Sequence, residues 1–114
     1  FCSVVGLRSN KVVGFATYNQ FRPGTGYLKT MEHTVIIDPQ NRGQGVGKNL
    51  VKSLEHHAVN RGIISLIAGV SEENAAGISF HKSLGFQKIS VLPKVGFKFG
   101  RFLDLVLMQK KLVS

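Results

Sequence analysis

The sequence predicts a single mixed α/β domain, residues 1–114, with elements in the order β-β-β-α-β-α-β-β and helices laid against a sheet. Three observations carry that expectation. Val35-Ile36-Ile37 is a short β-branched run that reads as a buried strand. It feeds a turn at Asp38-Pro39 and a loop with alternating Gly43, Gly45 and Gly47, after which Val46, Leu50, Val51, Leu54 and Ala58 recur at helical spacing. Ile63 to Val70 is a second apolar run, and Ser71-Glu72-Glu73-Asn74 behind it is a helix-start signal.

In order along the chain, Cys2 to Leu7 and Lys11 to Tyr18 form two β-rich runs joined by a polar turn, a predicted hairpin. Gly14 and Ala16 in the second run leave room for something to lie close above it. Phe21 to Lys29, punctuated by Pro23, Gly24 and Gly26, is a loop that also carries Arg22 and Tyr27. A strand from Thr30 to Asp38, the glycine loop and a helix to about Asn60 follow, the helix closed by Arg61-Gly62. After the strand Ile63 to Val70, a helix runs to Leu84 and Gly85 caps it. Gln87 to Leu92 and Phe102 to Leu112 are the last strands, and the basic, aromatic stretch Lys94 to Arg101 is expected to link them as a loop.

Composition bounds the function. With 114 residues, 43% of them hydrophobic, one core is affordable, and no apolar run approaches the ~18 residues of a membrane helix. The start, Phe1-Cys2-Ser3-Val4-Val5, lacks the regions of a signal peptide, and without an initial Met it suits a fragment or processed chain. A lone Cys2, expected to be a small buried residue, fits a reducing, cytoplasmic compartment. The net charge of +9 favours anionic partners, either nucleic acid or a phosphate-rich coenzyme. The basic residues are scattered, and Phe97, Lys98, Phe99 and Arg101 form the single basic-aromatic cluster that a nucleic-acid surface would need. No His, Cys or Asp cluster has the spacing of a metal site.

A strand feeding a glycine loop at a helix N-terminus is suited to an anion, usually phosphate. The P-loop pattern fails, because its first Gly falls at Arg42 and Lys48 is followed by Asn49. The dinucleotide pattern fails too, because the glycines are spaced Gly-x-Gly-x-Gly. What remains is Gln40-x-x-Gly43-x-Gly45 directly after a hydrophobic strand, which resembles the pyrophosphate loop of the GNAT acyltransferase superfamily. Three stretches narrow the resemblance: Thr30-Met31-Glu32-His33-Thr34-Val35-Ile36-Ile37, then Asn74 to Phe86 with His81 and Ser83, then Val95 to Asp104. Together they are similar to the phosphinothricin and methionine sulfoximine/sulfone N-acetyltransferase branch.

That resemblance implies a central, mostly antiparallel sheet with helices packed on it, lacking the first strand and helices that the branch carries at its N-terminus. It implies acetyl-CoA as co-substrate, with no metal, and transfer of acetyl to the amine of a small amino acid or analogue by direct attack on the thioester. It implies a cytoplasmic homodimer that engages neither nucleic acid nor membrane. Glu32 is the implied base for the amine proton and His81 a second catalytic group, acid or base. Backbone of Val35, Ile36 and Ile37 would pair with pantetheine amides. Gly43, Gln44, Gly45, Val46, Gly47 and Lys48 would cradle the pyrophosphate, and Asn74 and Ser83 would touch the coenzyme. Lys48 and Lys82 are either phosphate contacts or solvated lysines. Phe21, Arg22, Thr25, Gly26 and Tyr27 are acceptor-side candidates, Arg22 as the partner of an acidic analogue. The alternatives are an acetyltransferase for a protein N-terminus or another amine, a basic nucleic-acid-binding domain, and a coenzyme-binding domain without catalysis. His33, His56 and His57 have no comparable context, the last two being expected on a helix surface.

Overall fold

The structure is a computed structural model that describes residues 2–8, 11–38, 40 and 45–113, with backbone alone at 2–4 and 8. The expectations for Pro39, Gly43 and Gln44, and for burial of the Cys2 side chain, lie outside the described residues. Six strands and two α-helices appear in the predicted order: β1 (Cys2–Arg8), β2 (Lys11–Gln20), β3 (Thr30–Ile37), α1 (Val46–Asn60), β4 (Ser65–Ser71), α2 (Ala75–Ser83), β5 (Gln87–Lys98) and β6 (Arg101–Lys111). A 3-10 turn, Thr25–Tyr27, lies between β2 and β3. The strands form one sheet in the order β1-β2-β3-β4-β6-β5, and β3 with β4 is its parallel pair. The sheet is therefore mixed and mostly antiparallel.

Both helices cover one face. Leu50, Val51, Leu54 and Ala58 of α1 and Ile78 and Phe80 of α2 share a core with Ala16, Tyr18, Met31, Ala68 and Met108 of the strands. The room left by Gly14 and Ala16 is taken by α1: a Cβ at Gly14 would lie 3.2 Å from Leu50 Cδ1 and 2.8 Å from Ile37 Cδ1. The opposite face carries Phe15, Glu32 and Ile36, all exposed.

One pairing decides where the site lies. Parallel pairing of β3 with β4 covers Thr30↔Ser65 through His33↔Ala68 and stops there, while β4 stays paired to β6 as far as Ser71↔Leu105. Beyond His33 the two strands part. Val35 to Ile37 is therefore not the buried strand that its β-branched composition suggests: Val35 and Ile37 are half-buried and Ile36 is exposed, because β4 no longer flanks them.

The expected loop Lys94 to Arg101 is a second correction. β5 runs on to Lys98 through an irregular register between Leu92 and Gly96 that takes in Pro93. Asp104 Oδ1 accepts the Lys94 amide at 2.9 Å and holds that bulge. Phe99 (φ 54°) and Gly100 (φ 76°) then close a two-residue hairpin turn, both in the left-handed region. Arg101 pairs with Glu73, tying the hairpin to the start of α2. Among the described residues no helix is long and apolar enough to cross a membrane.

Candidate active site

The parting of β3 and β4 opens a cavity of about 700 Å³. Glu32, Val35, Ile36 and Ile37 line it from β3, Gly45, Gly47 and Lys48 from the start of α1, and Asn74 and His81 from α2. His33, Gly69, Gly77 and Phe80 also line it, and none of these was singled out from sequence. Of the other candidates, Val46 and Ser83 do not face it, nor do Phe21, Arg22, Thr25, Gly26 and Tyr27.

Glu32 and His81 reach the cavity from different sides of the sheet. Alternation along β3 sends Met31 and His33 toward the helices and Glu32 to the opposite face. There its carboxylate lies over Gly69, where a Cβ would stand 3.4 Å from Glu32 Oε2. A bare strand position at Gly69 thus leaves the carboxylate its place.

Helix α1 opens at Gly45, its N-cap, with φ 80°. The first helical bond runs from the Asn49 amide to the Gly45 carbonyl, so the amides just before it point out of the helix end. A Cβ on Gly45 would meet nothing within 4 Å, so glycine is required there by conformation, not by protein crowding. Gly47 is different: a Cβ there would come 3.1 Å from the Phe80 ring, so its absence lets α1 and α2 close behind the cavity.

Helix α2 is capped by Asn74, whose Oδ1 accepts the Gly77 amide at 2.9 Å. A Cβ at Gly77 would fall 2.5 Å from Asn74 Nδ2 and 3.1 Å from Val70 Cγ1, so the cap closes tightly against β4. Ser83 donates its hydroxyl to the Phe80 carbonyl at 2.6 Å, within its own helix. In the loop before β3, Gln20 Nε2 donates to the carbonyls of Arg22 and Gly24 at 2.7 and 2.8 Å. The Arg22 guanidinium lies 5.2 Å from the centre of the Tyr27 ring. His56 and His57 are exposed on α1, and His57 Nδ1 is 2.9 Å from the hydroxyl of buried Tyr18.

His81 is buried and fully engaged. Its Nδ1–H donates to the Gly77 carbonyl at 2.8 Å, and its Nε2 is 3.0 Å from His33 Nε2. A carbonyl only accepts, so the His81 proton is on Nδ1 and its Nε2 carries a lone pair. His33 must then donate from Nε2, which leaves His33 Nδ1 as a buried acceptor with no hydrogen-bond partner among the described residues. Burial, followed by the nearby His81, pushes the His33 pKa down to about 4. Burial lowers that of His81 as well, opposed by its bond to Gly77.

These shifts make stability depend on pH. An unfolded His33 titrates near 6.5 and the folded one near 4, so between those values the unfolded chain binds more protons. The contribution is complete above about pH 6.5 and is lost as pH falls toward 4, up to about 3 kcal/mol for His33. Urea unfolding at pH 7.5, 6 and 5 should show the midpoint falling with pH, and His33→Gln should flatten that trend. An equally steep decline in His33→Gln would assign it to other groups.

A family model for the acetyltransferase (GNAT) family matches residues 1–86. The chain is 38% identical to an L-methionine sulfoximine/L-methionine sulfone acetyltransferase of Salmonella typhimurium, over 96% of this chain and 64% of that protein. A ribosomal-protein-alanine N-acetyltransferase from Brucella melitensis superposes with a TM-score of 0.92 at 42% identity, over 96% of this chain and 67% of that one. A phosphinothricin acetyltransferase from Sinorhizobium meliloti in complex with acetyl-CoA superposes with a TM-score of 0.90 at 33% identity, over 96% of this chain and 60% of that one. The chain spans about three fifths of the length of the curated relatives it matches.

Proposed function

The chain belongs to the acetyltransferase (GNAT) family, and from that premise we propose that it carries the acetyl-CoA site and catalytic groups of an N-acetyltransferase for small amino acids. The acceptors would be of the methionine sulfoximine, methionine sulfone or phosphinothricin kind, which the names of its relatives mention. The observation that supports this most is the opening between β3 and β4, with the N-terminus of α1 at its rim. Past His33, no strand among the described residues lies along the edge of β3 that faced β4, so the backbone of Val35 to Ile37 is available to pair with an extended amide chain. The outward amides of α1 at Gly45 to Lys48 suit a pyrophosphate; Gly43 and Gln44, proposed with them, lie outside the described residues. Acetyl-CoA supplies the activated thioester. Glu32 takes the proton from the attacking amine, directly or through water. His81, held neutral by burial, faces the cavity from the helix side.

A second reading keeps the chemistry and changes the acceptor to a protein N-terminus, as the name of the Brucella protein suggests. Turnover of a panel of free amino-acid analogues and of alanine-ended peptides, with acetyl-CoA and the full-length protein, separates the two. We also propose that the protein works as a cytoplasmic homodimer. The lone Cys2 suits a reducing compartment, and the exposed Phe97, Phe99 and Phe102 of the β5–β6 hairpin offer apolar surface for a second copy.

Acetyl-CoA at a hundredfold excess over its Kd should stabilise the protein by ~2.7 kcal/mol, a rise in Tm on the order of 10 °C. Gly45→Val should abolish that rise, because Val is strained at φ 80° and would project beside the helix amides. If Gly45→Val is stabilised by acetyl-CoA as the parent is, the phosphate cradle lies elsewhere.

A further inference from the structure

His33 lies where the sheet divides. It is the last residue of β3 paired to β4, opposite Ala68, and the cavity opens immediately beyond it. Its ring is buried against Phe86, with centroids 5.2 Å apart, and against His81, with centroids 5.1 Å apart. Across the sheet its register partner is Tyr18, which also faces the helices. Among the described residues, titratable groups near the pair include Glu32 and Lys48, which line the same cavity, His57, which meets the Tyr18 hydroxyl, and Lys82, the exposed neighbour of His81 on α2. Among the hydrogen bonds of the described residues, none joins either imidazole to a carboxylate.

We propose that His33 is a positioning residue for His81, its Nε2–H holding the His81 Nε2 lone pair at the apex of the cavity so that the two rings work as one unit. The argument is a chain of forced donors. The Gly77 carbonyl fixes the proton of His81 on Nδ1, and the remaining lone pair on Nε2 then requires a donor, which His33 supplies at 3.0 Å. With both nitrogens bonded, the His81 ring has one orientation, set from α2 on one side and from β3 on the other. A buried lone pair without a donor would cost the site that definition. A second consequence concerns charge. Two imidazoles in contact in an apolar setting cannot both be protonated, so the pair takes up at most one proton. His81 therefore meets a reactant by exchanging its bond to His33, and His33 decides how readily that exchange happens.

The proposal rests on the reading that His81 takes part in acetyl transfer, and the test separates the two. Nitrogen NMR of the imidazoles in the full-length protein should show His81 as the Nδ1–H tautomer and His33 as the Nε2–H tautomer at pH 7.5. The reverse tautomer at His81 overturns the proposal without any variant. In His33→Leu the donor is gone. The His81 Nε2 signal should then move to that of an unbonded lone pair. His81 should titrate at higher pH, because the bond that favoured its neutral form is lost. Turnover with saturating acetyl-CoA should fall on the order of 10²-fold from loss of orientation, with KM for acetyl-CoA little changed. His33→Gln, whose amide can still donate to His81, should restore most of the turnover. Equal losses in the Gln and Leu variants, both folded, overturn the positioning role in favour of simple packing. A changed His81 signal with unchanged turnover in His33→Leu overturns the positioning role, whereas unchanged turnover in His81→Ala overturns the catalytic reading of His81 on which it rests.

Discussion

Glu32→Gln is expected to slow acetyl transfer about 10²–10⁴-fold while acetyl-CoA affinity stays within a few-fold. The substitution keeps the size of the side chain and removes its charge and its ability to take a proton. Glu32 is exposed on the sheet face away from the helices, so nothing in the core depends on its charge. Its carboxylate lies over the bare backbone at Gly69, where the amide of Gln has the same room. Folding should therefore be unaffected, and the effect should appear in kcat and not in the KM for acetyl-CoA. The decisive measurement is the pH–rate profile: the limb that reports the base should vanish in the variant. An unchanged profile would return Glu32 to the role of a solvated carboxylate at the end of a strand pair.

The second large effect is at His81, where Ala is expected to reduce both turnover and stability. The expectation from sequence alone is loss of catalysis in an intact fold. Burial changes that. The His81 ring meets the Phe80 and Phe86 rings edge-on, each at 5.2 Å, and its two nitrogens hold Gly77 and His33. Ala would leave a cavity and strand the His33 donor, at a cost of about 2–5 kcal/mol. For a domain of this size, that lowers Tm on the order of 10 °C or more. Turnover measured well below the new Tm should still be down on the order of 10²-fold or more. His81→Tyr, which brings a hydroxyl able to protonate a thiolate, should recover part of the turnover but not the stability, since a larger ring must fit a filled space. A variant with reduced Tm and full turnover at low temperature would make His81 a brace between α2 and β3 and nothing more.

The helix from Val46 and the glycine that opens it at Gly45 were legible because each signal is local: a Gly, then helical spacing. Asn74 was legible as a helix start for the same reason, and its side chain does cap α2. Misreadings fell where a distant residue decides. Lys94 to Lys98 looks like a loop because Pro93, Gly96 and Lys residues weaken a strand pattern, yet pairing with β6 and the Asp104 bond keep it in the sheet. His33 carries no motif of its own, and the alternation of β3, which puts it on the helix-facing side with Met31, is the signal in the sequence that marks it.

By itself, the sequence determined the order of the strands and helices and most of their extents, Lys94 to Lys98 excepted, because propensity and periodicity act over a few residues. Only the tertiary structure decided that β3 and β4 part after His33↔Ala68, that Glu32 and His81 meet one cavity from opposite faces, and that His81 is bonded on both nitrogens. The His33–His81 bond joins residues 48 positions apart. Such a contact leaves no trace in local pattern, because it is set by the register of β3 against β4 and the packing of α2 above them, and these depend on the whole sheet.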